Sequence, residues 1–228
     1  QLAIAPPQND VKNPTRFSND ALEELDTEMR KYNPGDSRKR IHWKASARMG
    51  ELISRKYQYI PKAQTVVFMD LVKIKDEELK VVGYEDKIIE SVLAIVNFYA
   101  KRNIASHIIY DQSGIKSFPI GTNDDFNVFY KACVTLRFEA VLPAYELINA
   151  RLGYADEGVF YVVVTHILSK ELYLAALKVL ACQNSISIIY ISDDVSDSTR
   201  ELINSMKLSG IGIYQIMLKD EIADILSH

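Results

Sequence analysis

Two groups of residues in this 228-residue sequence have types and spacings suited to chemistry. The first is scattered. Asp70, Thr165 with His166, and Asp193 each follow a short run of β-branched and apolar residues, and so do Asp111 with Ser113 and Ser192 with Asp194. Polar groups that follow buried strands collect at one edge of an α/β sheet, where ligands bind. The simpler alternative is that polar residues follow each strand because it has reached water. The second group is continuous and lies within residues 32–55. It holds Asp36, Arg38, Arg40, His42, Lys44, Arg48 and the only tryptophan, Trp43. Between positions 30 and 56, nine lysines and arginines stand against two acids. The segment is therefore +7 in a chain of net charge −3, which leaves −10 elsewhere.

In the basic segment, Arg40, Lys44 and Arg48 recur at helical spacing. Three cations in such a row repel one another and persist most easily opposite something anionic. That counterpart is either the acidic remainder of the chain or a partner. His42 lies among cations, which favours its neutral form, so it reads as a packed residue rather than a base. Trp43 reads as an anchor of the segment on the main domain rather than a stacking platform. The overall charge does not suggest a nucleic-acid binder. The sequence has no glycine-rich phosphate loop, no paired Cys or His metal motif and no nucleophile elbow. Cys133 and Cys182 each sit alone in an apolar segment and read as buried thiols.

The elements that position these residues are legible from residue 65 onward. Residues 65–71, 105–110, 158–165, 185–192 and 213–218 read as strands, largely continuous in β-branched and apolar residues, as expected where both faces are buried. Residues 84–102, 124–136, 143–152, 169–183 and 197–208 read as helices, and 220–226 as a short tail helix. Residues 73–83 read as a polar connection. The tight turn at 111–114 predicts a hairpin into residues 115–120. Alternating strands and helices imply a mostly parallel, doubly wound α/β sheet of about six strands with one antiparallel edge. Residues 1–60 read as an N-terminal arm carrying the basic segment, and residues 61–228 as the α/β domain. In the arm, 26–32 and 51–59 suggest strands. Pro34 and Gly35 suggest a turn, with Asp36 or Ser37 capping a helix over 38–48 that ends at Gly50.

Tyr32, Pro34, Gly35, Asp36, Arg38, Arg40, Ile41, Trp43, Ser46, Ala47 and Arg48, followed by Gly50, Glu51 and Leu52, closely resemble the signature of the domain of unknown function 58 family. The resemblance runs on into the strand that ends at Asp70. It implies a von Willebrand factor A-like α/β domain, and a bacterial membrane protein whose N-terminal hydrophobic hairpin precedes a soluble part. The chain begins with Gln1 rather than Met, which fits such an origin, and that soluble part would lie in the cytoplasm. The resemblance also implies the company of MoxR-type AAA+ ATPases. Domains of this fold often bind Mg²⁺ through Asp-x-Ser-x-Ser. Here the aspartate is Asp70, but Val72 and Ile74 replace both serines and Lys73 adds a cation, so no metal and no cofactor is expected.

These readings give a non-enzymatic interaction or scaffolding module. Its candidate surfaces are the basic segment (Asp36, Arg38, Arg40, His42, Trp43, Lys44, Arg48) and the strand-end edge (Asp70, Thr165, His166, Asp193). The expected partner is a protein, with a MoxR-type ATPase foremost. One alternative is a membrane-proximal module whose basic strip lies on anionic lipid. A metal-dependent binding domain or enzyme is disfavoured by Val72 and Ile74.

Overall fold

The computed structural model describes residues 22–32, 43–61, 65–152 and 158–222. The N-terminal arm up to residue 21, Asp36, Arg38, Arg40, His42 and all but the start of the expected tail helix lie outside the described residues. The chain divides into two compact units, one of residues 11–62 and one built on residues 63–228.

The larger unit is a six-stranded sheet in the order β5-β4-β3-β6-β7-β8. Its elements are β3 (Thr65–Met69), α2 (Glu78–Lys101), β4 (Ser106–Asp111), β5 (Ile115–Ile120), α3 (Asn123–Ala132), α4 (Ala144–Leu152), β6 (Phe160–Thr165), α5 (Lys170–Ala181), β7 (Ser185–Ile191), α6 (Asp197–Leu208) and β8 (Gly212–Ile216). All neighbouring strands run parallel except β4 and β5, which form the expected hairpin. The doubly wound α/β arrangement anticipated from the sequence is met: six strands, mostly parallel, one antiparallel edge.

Alternation along the central strands builds two cores. Val66 and Phe68 of β3 join Tyr161 and Val163 of β6 on one face, under Leu147 and Ile148 of α4 and Ala176 and Val179 of α5. Val67 and Met69 join Val162 and Val164 on the other, under Ile88, Val92, Ile95 and Tyr99 of α2. A strand packed on both sides must be apolar at every position, and every residue of β3 and β6 is buried. Each large side chain removed from water in this way contributes about 1.5–3 kcal/mol.

Two expectations need correction. The stretch 73–83 is not simply a connection, because α2 begins at Glu78. Its first turn touches the core only through the partly buried Val81, while Leu79 is 90% exposed and Val82 54% exposed, so the apolar stripe there is broken. Cys133 is buried as expected, and burial pushes its thiol up to about 11, but Cys182 is exposed at the C-terminal cap of α5. At the hairpin edge, β5 presents Lys116, Ser117 and Pro119 to solvent.

The smaller unit pairs β1 (Leu22–Lys31) with β2 (Ile53–Pro61) as an antiparallel ribbon, with an irregularity between Asp26 and Glu28. β1 is longer than the strand expected from residue 26. Between them lies the short helix α1 (Trp43–Met49), ended by Gly50 at φ 68°, a backbone conformation that glycine adopts without strain.

Candidate functional site

Chain order makes the gap between β3 and β6 the switch point of the sheet. The connection from β3 runs outward to β4, and the chain later returns to lay β6 on the opposite side of β3. Crevices at such points, outside the carboxyl ends of the strands, are where open α/β sheets bind ligands. Met69 pairs with Val164 in the last described rung, so Asp70 and Thr165 leave the sheet side by side.

The two residues close on each other. Thr165 Oγ1 donates to Asp70 Oδ2 at 2.7 Å, and the Val72 amide donates to Asp70 Oδ1 at 3.3 Å. Thr165 Oγ1 also accepts from the Ile167 amide at 3.0 Å and lies 3.2 Å from the Ile167 carbonyl. A hydroxyl has one hydrogen, and the shorter contact to a carboxylate claims it. Asp70 is 2% exposed and Thr165 fully buried. Burial pushes the Asp70 carboxyl above the usual carboxylate range, and the Thr165 hydroxyl and Val72 amide only partly offset that.

The positions that would carry serines in a metal-binding loop do other work. Ile74 belongs to the core, 6% exposed, beside Tyr84 and Ile191. Val72 forms a parallel bridge to Ala140, whose amide donates to the Leu71 carbonyl at 3.0 Å. The loop is thus built as an apolar seam in which these two side chains offer no oxygen. Among the described residues no group of three or more His, Cys, Asp or Glu could hold a metal ion.

Beyond that seam lies a cavity of about 400 Å³, lined by Lys73, Lys75, Tyr84, His166, Ile191 and Ser192 among others. Lys73 and Lys75 are exposed, and neither has an ion-pair partner among the described residues. Burial lowers His166 to about 4 and keeps it neutral, and its Nδ1 is buried without a hydrogen-bond partner. The Asp76 carboxylate accepts from the Glu77 amide at 2.7 Å and stands 4.0 Å from Lys80. Asp76 also lines the cavity, so two ammonium groups stand against one carboxylate and the lining is net basic, with Ile74, Tyr84 and Ile191 as its apolar part.

Asp193 does not join this group. Its Oδ1 accepts from the Leu218 amide at 2.8 Å, and it lines a separate cavity with Asp194, Arg200 and Gln215. Asp111 is a clamp: Oδ2 accepts from the Val141 and Leu142 amides at 2.9 and 3.0 Å, and Oδ1 from the Gly114 amide at 2.9 Å. Of the four strand-end residues expected at one site, the structure brings together Asp70, Thr165 and His166. Beside them stand Lys73, which the sequence reading treated only as an obstacle to metal binding, and Lys75, which it did not single out.

In the smaller unit, Ser46 fastens α1 to the start of β2, its Oγ accepting from the Ile53 amide at 2.8 Å. Lys31 pairs with Glu51 at 2.5 Å. Lys44 and Arg48 are exposed, with no ion-pair partner among the described residues. Trp43, expected to be an anchor, is 66% exposed. The buried position of α1 is Ser46 instead.

Most of the ribbon segment and five of the six strands of the sheet fall within one sequence family. The model of the family described as "Protein of unknown function DUF58" matches residues 28–199. The chain belongs to that family. No curated protein matches this DUF58 chain. Solved structures similar to it include proximal thread matrix protein 1 from the mussel byssus, 12% identical over 67% of this chain, with a TM-score of 0.47. The match covers 42% of the mussel protein's chain. The conserved hypothetical protein BatB from Bacteroides thetaiotaomicron is 11% identical, over 72% of this chain and 92% of that one, at 0.44. An aerotolerance-related membrane protein from Bacteroides fragilis NCTC 9343 is 14% identical, over 72% and 94%, at 0.46. No helix among the described residues is long and apolar enough to cross a membrane.

Proposed function

We propose that this DUF58 chain is the partner-binding part of a bacterial membrane-associated protein. Its larger unit recognises a protein partner at the β3/β6 switch point, and a MoxR-type AAA+ ATPase is the partner the family resemblance suggests. The observation that carries the reading is the net basic, partly apolar cavity beside Lys73 and Lys75. Two unpaired ammonium groups over Tyr84, Ile74 and Ile191 suit an acidic side chain with an aliphatic stem, since such clefts combine apolar walls with a few charged groups that fix orientation.

The reading is non-catalytic. The hydrogen-bonded hydroxyl–carboxylate pair beside the cavity, Thr165 with Asp70, is buried, and His166 is neutral with no nucleophile bonded to it among the described residues. The test is a pull-down of a MoxR-type ATPase with wild type and with the Lys73→Glu/Lys75→Glu variant, in the presence of EDTA. Both lysines are exposed, so the variant keeps its circular dichroism spectrum and melting curve, and recovery is expected to fall at least about tenfold, a change of ~1.4 kcal/mol. Undiminished recovery, or recovery that requires Mg²⁺, would sink the proposal.

A further inference from the structure

The outer side of α1 and its two flanks show a second binding chemistry. Trp43 is 66% exposed and Met49 65%, and Leu52, just past the helix, is 47% exposed. Lone exposed apolar residues are ordinary, but here three large ones fall within ten residues, and one is the only tryptophan of the chain. Between Trp43 and Met49 lie Lys44 and Arg48, four apart and so on one side of the helix. Neither cation is engaged by an acid among the described residues, because the nearby Glu51 is taken by Lys31. Ser46, bonded to Ile53, marks the packed side of the helix. Two residues before or after it is roughly half a turn of the helix, which sets Lys44 and Arg48 on the side facing away from β2.

A cation pair flanked by an indole and a thioether fits one kind of surface best. An acidic protein would have to pair an acidic patch for the cations with an apolar pocket for the indole. An anionic bilayer satisfies both: phosphates meet the Lys and Arg, and tryptophan partitions to the headgroup level, where its ring is half in apolar surroundings and its N–H stays wet. The sequence adds charge of the same sign on either side, within a segment of net +7. We infer that α1 and its flanks dock on an anionic lipid surface, with Trp43 at the headgroup boundary and Lys44 and Arg48 on phosphates. This rests on the membrane-associated reading above and assigns that association to a particular face.

The single tryptophan makes the inference directly measurable. The 228-residue chain is titrated with vesicles of phosphatidylglycerol and phosphatidylcholine at equal parts, and with phosphatidylcholine alone, while Trp43 emission is followed. The expected result is a blue shift and quenching by bromine-labelled lipid with the anionic vesicles, reversed by 0.5 M salt. In a co-sedimentation assay, Lys44→Gln/Arg48→Gln is expected to lower partitioning about thirtyfold, since each cation near such a surface is worth about fivefold. Trp43→Ala, an exposed substitution, is expected to weaken partitioning without lowering the melting temperature. An emission spectrum indifferent to anionic vesicles at low salt overturns the inference, and so does equal binding to neutral vesicles. Loss of ATPase recovery on neutralising Lys44 and Arg48 in the absence of lipid also overturns it, by making α1 a protein contact. The lysine pair of the strand-end cavity lies in the other unit, so failure here leaves that pull-down result untouched.

Discussion

Asp70 and Asp111 are the same residue in nearly the same place. Each is buried at the carboxyl end of a strand, and β3 and β4 are neighbours. Their carboxyls are driven in opposite directions. At Asp111 the Leu142 amide, helped by those of Gly114 and Val141, holds the carboxyl below its ordinary range. At Asp70 burial dominates and raises it. The difference lies in the balance between burial and the donors that reach each carboxylate. Three amides converge on Asp111 because the hairpin turn and the chain before α4 both bend over it, and they outweigh its burial. Asp70 has the Thr165 hydroxyl, which can reverse its bond, the Val72 amide and a smaller contribution from the Ala144 amide, and burial outweighs all three. A charge that stitches loops together and a carboxyl suspended at a binding edge are thus separated by local backbone geometry, since hydrogen bonds to the ionised form lower a pKa and burial raises it.

The largest expected effect is at the clamp. Asp111→Ala leaves three amides without their acceptor and frees the loop at 137–142, and should cost about 3 kcal/mol in urea unfolding. A loss under 1 kcal/mol would mean water replaces the carboxylate at little cost and would erase the contrast. The next effect is in acid. His166 is lowered to about 4 by burial, so the folded state resists a proton that the unfolded chain accepts from about pH 6.5 downward. Stability should therefore fall by about 2 kcal/mol between pH 6.5 and 4 on this account, and the His166→Gln variant should lack that part of the slope. An unchanged slope would place the ring in solvent.

The smallest effect has the most informative sign. Because the Asp70 carboxyl is raised, its contribution favours folding at low pH and is lost as pH rises through its folded value. Asp70→Asn supplies an amide that donates to Thr165 Oγ1, whose hydrogen then turns to the Ile167 carbonyl 3.2 Å away. The variant should melt at an equal or slightly higher temperature than wild type at pH 8, with no gain at pH 3. A clear drop in melting temperature at pH 8 would show Asp70 to be a second clamp and remove the distinction from Asp111.

The sheet was readable in the sequence because β3, β6 and β7 are buried on both faces and leave unbroken apolar runs. The start of α2 was not, since periodicity records only where a helix touches the core, and that contact begins near Tyr84. The length of β1 was hidden for a related reason: its partner is β2 across the ribbon, and that pairing lies in no single stretch of sequence. At the strand ends, Asp70 and Thr165 meet and His166 follows them, whereas Asp193 turns away, because strand order says which ends are near one another but not that a side chain will turn to cap the chain after β8. The Asp111 clamp depends on Val141 and Leu142, some thirty residues away, and no local signal marks them. Lys73 was present in the sequence as a departure from a metal loop, and Lys75 carried no signal of its own. Only the cavity beside them gives that departure a positive meaning.

The hairpin edge has a consequence for assembly. An outer strand offers amides and carbonyls to any strand that arrives alongside, but Pro119 has no amide hydrogen and Lys116 adds an exposed charge, both of which discourage pairing. At the other end of the sheet, β8 has no such block in its sequence, Gly212 to Ile216. A sheet blunted at β5 and plain at β8 can accept an added strand at one edge only.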